Sequence, residues 1–269
     1  MEKDFKFPNL LRRQALNTNP MSKLQNFEDQ ETTPYNNGEG GRSAKLRRTW
    51  IIITAYQEEQ TIGDVVKRAL LQSPFVAVID DGSTDRTAKI AHEAGAYVLS
   101  HLFNLGQGAA LQTGVSCALT EAAELIVTLD ADGQHDPEDI SRMISKIESS
   151  NADVVLGNRF SGKAIGISWR RRFILRCAWC LIRLTSGVAI SDSQIGLRLF
   201  SSDAARKLVI TQNRMAYASE LINQMVRLKL NIVEIPVSVT YTDYSMKKGQ
   251  SGLNSVNIIV DLIVGKILK

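Results

Sequence analysis

The chain has little cysteine, no long apolar run and almost no surplus of charge, and each shortage removes a class of function. Its 269 residues hold three cysteines, of which Cys177 and Cys180 form a lone C-x-x-C, "CAWC". A zinc site needs a second ligand pair, and a redox motif is expected near a strand-to-helix turn. Neither context is present, so the pair reads as two thiols on a helix face in a reducing cytosol. No run of 18 or more apolar residues occurs, so no membrane span is expected. The opening "MEKDFKFPNLLRRQ" lacks the apolar core of a signal peptide. A cytoplasmic location is the expectation. The formal charge of +4 is too small to argue for a nucleic-acid partner. There is no G-x-x-x-x-G-K-[ST] phosphate loop. "GQGAAL" echoes a dinucleotide fingerprint but lacks its third glycine. A redox enzyme of the dinucleotide-binding type is therefore disfavoured.

What is present is enough apolar residue, 44% of the chain, for a sizeable core. Residues 1–47 are polar and without period, as in "TTPYNNGEGGRS", and are expected to be a disordered tail. From Thr49 the chain alternates. "TWIIITAY", "FVAVID", "AYVLS", "LIVTLD" and "ADVVLGNRF" read as strands, several of them buried on both faces. Helical spacing separates them. This rhythm predicts an α/β fold, a single Rossmann-like domain with a mainly parallel central sheet flanked by helices. The second half is less regular. "SWRRRFILRCAWCLIRLTSG" reads as an arginine-bearing helix, "DSQIGLRLF" as a turn and short strand, and "NIVEIPVSVTY" as a strand with Pro236 at a sheet edge. The domain is expected to span 48–240, with 48–160 and 161–240 as its halves. Residues 241–269 are expected to form a flexible basic loop and an amphipathic terminal helix.

In parallel sheets ligands sit at the carboxyl ends of strands. The polar clusters "TAYQEE", "DDGSTD" and "DADGQHD" each follow an apolar strand directly, so they are expected to converge on one edge. Asp130 and Asp132 lie two apart, and in a strand residues i and i+2 point the same way. Two carboxylates on one side repel unless a cation lies between them. Mg²⁺ or Mn²⁺ suits such oxygen ligands and keeps positions open for substrate phosphates. Gly133 is the fourth residue of the run, where a calcium loop wants glycine at the sixth. Asp136, before Pro137, is expected to cap a helix. Asp80 and Asp81 end a strand before Gly82, and such carboxylates can accept hydrogen bonds from a nucleobase or ribose. Gly106 and Gly108 allow close backbone approach, by packing or by a ligand.

Taken in order, "TAYQEE", "IDDGSTDRT", "NLGQGAALQTG", "LDADGQHDPEDI", "GNRF", "DSQIGLRLF" and "ASELINQMVRLKLNIVEIPVSV" resemble glycosyltransferase family 2 with the GT-A fold. Within it they most resemble the dolichyl- and polyprenyl-phosphate mannosyl- or glucosyltransferase branch. The resemblance covers about residues 49–255. It implies an inverting, metal-dependent transfer from a nucleotide-diphosphate sugar to a polyprenyl phosphate, or to a glycan hydroxyl. It assigns Asp130, Asp132 and Gln134 to the Mg²⁺ or Mn²⁺ ion. Ala55, Tyr56, Glu58, Asp80, Asp81, Asn104, Gly108, Asp130, Ala131, Asp132 and Arg159 fall to the nucleotide-sugar. Asp192, Gln194 and Arg198 fall to the acceptor-side turn, and Glu220 is the family's acidic residue on the next helix. Asp132, Arg159, Asp192 and Glu220 are thereby the catalytic candidates.

Three departures stand out. Similar enzymes carry lysine at Gln107 and asparagine at Gln57, and the late loop "TDYSMKKGQSG" has Gly252 where a lysine is usual. Lys247, Lys248 and Ser251 are left to hold an acceptor phosphate. A phosphate acceptor is already largely ionised near neutral pH and needs no base. A hydroxyl acceptor needs a carboxylate, for which Asp192 and Glu220 are the candidates. Arg170, Arg171, Arg172, Arg176 and Arg183 share a segment with Trp169, Phe173 and Trp179. That mixture suits an anionic membrane surface, and peripheral association or a membrane-spanning partner is expected.

Overall fold

The computed structural model describes residues 47–159, 161–162, 164–165, 190, 192, 194–214 and 216–240. Expectations for the N-terminal tail, the arginine-rich helix with its C-x-x-C, the loop with Lys247, Lys248 and Ser251, and the terminal helix lie outside the described residues.

Strand, helix, strand recurs along the first half. The elements are β1 (Thr49–Ala55), α1 (Ile62–Leu70), β2 (Phe75–Asp80), α2 (Thr87–Glu93), β3 (Tyr97–Ser100), α3 (Gln107–Thr120), β4 (Leu125–Asp130), α4 (Asp139–Ser150) and β5 (Val154–Asn158). After them come β6 (Ala164–Ile165), β7 (Arg198–Ser201), α5 (Ser202–Lys207), α6 (Tyr217–Arg227), β8 (Ile232–Pro236) and β9 (Val239–Thr240). Seven strands form one sheet in the order β3-β2-β1-β4-β7-β5-β8, and β6 pairs with β9. Only β7 runs against its neighbours in the large sheet. The sequence pattern gave no sign that it would wedge between β4 and β5. Pro236 ends the edge strand β8, where its missing N–H removes no ladder bond.

Alternate residues of the central strands feed two cores. Ile51, Ile53, Val76, Val78 and Val127 face α1, α2 and α4, with Ile62, Val66, Ile140 and Met143 among their partners. Trp50, Ile52, Ala77, Ile79 and Ile126 face α3, α5 and α6. Both faces are covered, so the strands are apolar at almost every position. At Gly114 a Cβ would collide with Ile52, so this glycine lets α3 lie directly on the sheet.

The register sets the ligand edge. Ala55 lies opposite Asp80, and Thr54 opposite Asp130. The three polar tips therefore leave the sheet side by side, as their sequence positions predict.

Candidate active site

Asp130 is the last residue of β4. The strand stops there, so Asp132 belongs to a turn rather than to the strand. The i, i+2 argument thus fails in its literal form. The turn places Asp132 instead, and Gly133 takes a φ of 73° within it. Asp132 Oδ1 accepts the Gln134 N–H at 3.0 Å, and Gln134 O accepts the Thr240 N–H at 2.9 Å. His135 bridges Val239. The carboxylate of Asp136 accepts the Glu138 N–H at 3.0 Å and pairs with Arg68 at 2.5 Å, but α4 begins at Asp139 with Glu138 at its N-cap, so Asp136 stands two residues ahead of the capping place expected of it.

Asp130 has three kinds of neighbour. The Gln107 side-chain amide donates to its Oδ1 at 2.9 Å. His135 Nε2 lies 3.8 Å from its Oδ2. Gly196 packs so closely that any Cβ there would collide with the carboxylate. Burial raises the Asp130 pKa and nearby Glu58 adds to this, against the opposing pull of Arg198, Arg159 and Gln107. His135 is pushed the other way, down to about 3, by burial first and then by Arg159 and Arg198. It is therefore a neutral imidazole at physiological pH.

Arg198, only 1% exposed, lies with its guanidinium 5.5 Å from the centre of the Tyr217 ring. The side chain is buried, and its charge opposes the rise in the Asp130 pKa. Gln194 lies in the half-buried turn before β7.

Arg159 and Asp192 pair at two points, Nε to Oδ2 at 2.6 Å and Nη2 to Oδ1 at 3.1 Å. The Arg159 backbone N–H also reaches Asp192 Oδ2, at 3.3 Å. Asp192 is 3% exposed along its side chain and Arg159 20%. Asp192 thus orients the arginine, which is the more exposed partner of the pair.

Around the nucleotide segments the structure separates residues that the sequence grouped. Ala55 is buried, Tyr56 is 44% exposed, and Glu58 is buried with Oε2 accepting from Thr61. Asn104 is exposed, and Ala131 is buried behind the acidic turn. Asp80 accepts the Ser83 N–H at 3.2 Å. Asp81 is occupied: its oxygens take the Leu105 N–H at 3.0 Å, the Gly106 N–H at 2.7 Å and His101 Nδ1 at 2.7 Å. Burial raises its pKa, but these bonds outweigh that and leave the carboxyl below the ordinary value. Asp81 therefore latches the β3–α3 loop.

Gly106 and Gly108 make room for protein. A Cβ on Gly106 would strike the Asn213 carbonyl, and one on Gly108 the Gln212 carbonyl. The Gly108 N–H donates to Asn213 O at 2.8 Å. The strap 209–213 that supplies these groups is held from two helices. Gln112 accepts the Ile210 N–H at 2.8 Å, and Gln224 accepts the Val209 N–H at 3.0 Å. Glu220 Oε2 accepts the N–H groups of Thr211 and Gln212, each at 3.0 Å, and its other oxygen takes the Thr211 hydroxyl. Burial opposes the charge, yet these bonds hold the Glu220 carboxyl below its usual range.

The chain thus brings acidic tips to one edge of a mainly parallel sheet, with two acids at the end of β4. A model of the family "Glycosyl transferase family 2" matches residues 50–209. The chain is a family 2 glycosyltransferase. As such it is an enzyme that uses a nucleotide-sugar donor. A dolichyl-phosphate N-acetylglucosaminyltransferase that uses UDP-N-acetylglucosamine, from Methanococcus voltae, is 30% identical over 81% of this chain and 97% of its own. A polyprenol monophosphomannose synthase of Mycolicibacterium smegmatis is 28% identical over 81% and 87%. Among solved structures, the glucosyl-3-phosphoglycerate synthase of Mycobacterium tuberculosis, in complex with Mn²⁺, UDP and glucosyl-3-phosphoglycerate, superposes with a TM-score of 0.62. It is 18% identical and covers 83% of this glycosyltransferase and 79% of itself. The expected GT-A fold is thereby borne out.

The residues present fit a divalent cation. Among the described residues no three His, Cys, Asp or Glu side chains gather into a closed metal cage. Two carboxylates and the Gln134 amide offer hard oxygens and leave positions for diphosphate oxygens, which is how Mg²⁺ and Mn²⁺ are held in phosphate-handling sites. No described helix is long and apolar enough to cross a membrane.

Gln107, Gly196 and His101 complete the site without having been named as its members. A departure from the family pattern marked Gln107. Nothing in the sequence marked Gly196, whose role is to be small beneath Asp130.

Proposed function

We propose that this glycosyltransferase moves a sugar, with inversion, from a nucleoside diphosphate sugar to a polyprenyl phosphate at a membrane surface. The observation that carries the reading is that both carboxylates available as bases are already engaged. Asp192 is bound to Arg159 at two points and Glu220 holds the strap. A hydroxyl acceptor would need one of them to remove a proton. A monoester phosphate, with a second pKa near ~6, arrives largely ionised and needs neither.

The roles follow. Asp130, Asp132 and Gln134 hold the cation, which when bound neutralises charge on the departing diphosphate. Arg159, aimed by Asp192, offers its positive charge to the same developing charge. Tyr56, Glu58, Asp80 and Asn104 surround the nucleotide half. A phosphate oxygen of the acceptor attacks the anomeric carbon, the bond to the diphosphate oxygen breaks, and the nucleoside diphosphate leaves. Lys247, Lys248 and Ser251 hold the acceptor phosphate. The Arg170–Arg183 segment, with its tryptophans, binds the anionic surface in which the acceptor lies. The names of the relatives, which act on dolichyl phosphate and polyprenol phosphate, favour the same acceptor class.

Incubation with labelled sugar nucleotides, with and without polyprenyl phosphate, followed by lipid extraction, tests this. Label should enter the organic phase only when the lipid phosphate is added. Label appearing in a glycan, with none in the lipid, would replace the proposal with a hydroxyl-directed transfer.

A further inference from the structure

We infer that Glu220 is a positioning residue that works on the cation site through the strap 209–213, not a base. The inference rests on the cation site proposed above. One carboxylate oxygen of Glu220 gathers the N–H groups of Thr211 and Gln212, each at 3.0 Å. That pinch turns the carbonyls of Gln212 and Asn213 toward the start of α3. Asn213 O then takes the Gly108 N–H at 2.8 Å. Gly106 and Gly108 have no side chain because these carbonyls occupy the space one would fill. Between the two glycines stands Gln107, whose amide donates to Asp130 Oδ1 at 2.9 Å. On its far side the same turn is tied by Asp81, which accepts the Gly106 N–H at 2.7 Å.

The first turn of α3 is thus held from both directions, and what it carries between the glycines is an amide that donates to Asp130. Gly106 has a φ of 103°, a conformation with little intrinsic stiffness. The strap and Asp81 together therefore fix the position of the turn. Release of the strap would leave Gln107 free to drift and Asp130 free to rotate. A partner that orients a metal ligand in this way usually changes affinity by about ten-fold or more.

The chemistry separates positioning from proton abstraction. Glu220→Gln keeps an oxygen that accepts both backbone N–H groups, and its amide can donate to the Thr211 oxygen. It retains the strap but cannot act as a base. Glu220→Ala loses both. The test is Mn²⁺ affinity, read by electron paramagnetic resonance with UDP or GDP present, together with turnover and melting temperature. Glu220→Ala should weaken Mn²⁺ binding about ten-fold, and Glu220→Gln should stay within about two-fold of wild type in affinity and turnover. Gln107→Ala should weaken binding similarly, and the double variant should be no worse than either single one, since both break one chain of contacts. Loss of turnover in Glu220→Gln with Mn²⁺ binding intact would overturn the inference in favour of a base. Unchanged Mn²⁺ affinity in folded Glu220→Ala would overturn it as well, with the cation site standing. If the wild type bound no Mn²⁺, both the inference and the cation site would fall. If Glu220→Ala does not fold, the glutamine variant alone decides.

Discussion

Arg159 and Asp192 form a two-point ion pair in which the acid is sealed and the base is not: 3% against 20% of the side chain is exposed. The sealed partner serves the open one. Asp192→Asn should therefore behave like damage to Arg159. Breaking a buried pair usually costs about 3–5 kcal/mol, and the partial exposure of Arg159 puts this case near the lower end. Denaturant midpoints should show that loss, and kcat should fall with it. Arg159→Ala should show the same fall in kcat, and the double variant should add little. Fully additive losses would mean that Asp192 has a separate task.

Gly196 should tolerate nothing larger. A methyl group there would collide with the Asp130 carboxylate. Gly196→Ala is expected to weaken Mn²⁺ binding and lower turnover while leaving the melting temperature within a few degrees, because the displaced acid lies at the solvent edge of the sheet. Calorimetric titration of Mn²⁺ in the presence of a nucleoside diphosphate checks this. An alanine variant with wild-type affinity would show that the contact is not maintained when the ion binds.

Asp81 gives the fold an acid limit. Its carboxyl is held below the ordinary 3.8, so the ionised form is favoured by folding. That stability is fully present above 3.8 and is lost as pH falls through the lower native value. Asp81→Asn removes the acceptor for two backbone N–H groups and the partner of His101. Its stability should be lower at neutral pH and should decline less steeply on acidification. Parallel curves for variant and wild type between pH 5 and 2 would contradict the assignment.

The acidic turn should be separable from the fold. Asp132 accepts the Gln134 N–H and is half-buried in the turn after β4. Asp132→Ala is expected to abolish turnover with an unchanged circular-dichroism melting curve. Turnover that survives in this variant after chelation would remove the cation from the account.

Much of this was legible in the sequence because parallel strands buried on both faces write themselves as unbroken apolar runs. "TWIIITA", "FVAVID" and "LIVTLD" became β1, β2 and β4, and the acids after them fell on one edge. Less legible was anything fixed by contacts between distant segments. The bonds that Asp81 accepts are one case, since the backbone N–H groups that donate them lie 24 and 25 residues away. The reversed strand β7 carries no local mark of its direction, and nothing local in the sequence marks Arg198 within it as buried. At Gln57 the departure from asparagine gains a physical meaning only with the backbone, whose φ of 58° is a conformation that asparagine adopts more easily.

The central claim is that the acceptor oxygen arrives ionised, so that no carboxylate need serve as a base. Its most direct test pairs polyprenyl phosphate with the corresponding free polyprenol, each supplied in the same vesicles with Mn²⁺ and labelled donor. We predict release of nucleoside diphosphate and label in the lipid with the phosphate, and neither with the alcohol. Comparable transfer to the alcohol would mean that this protein deprotonates its acceptor, and the account would be wrong.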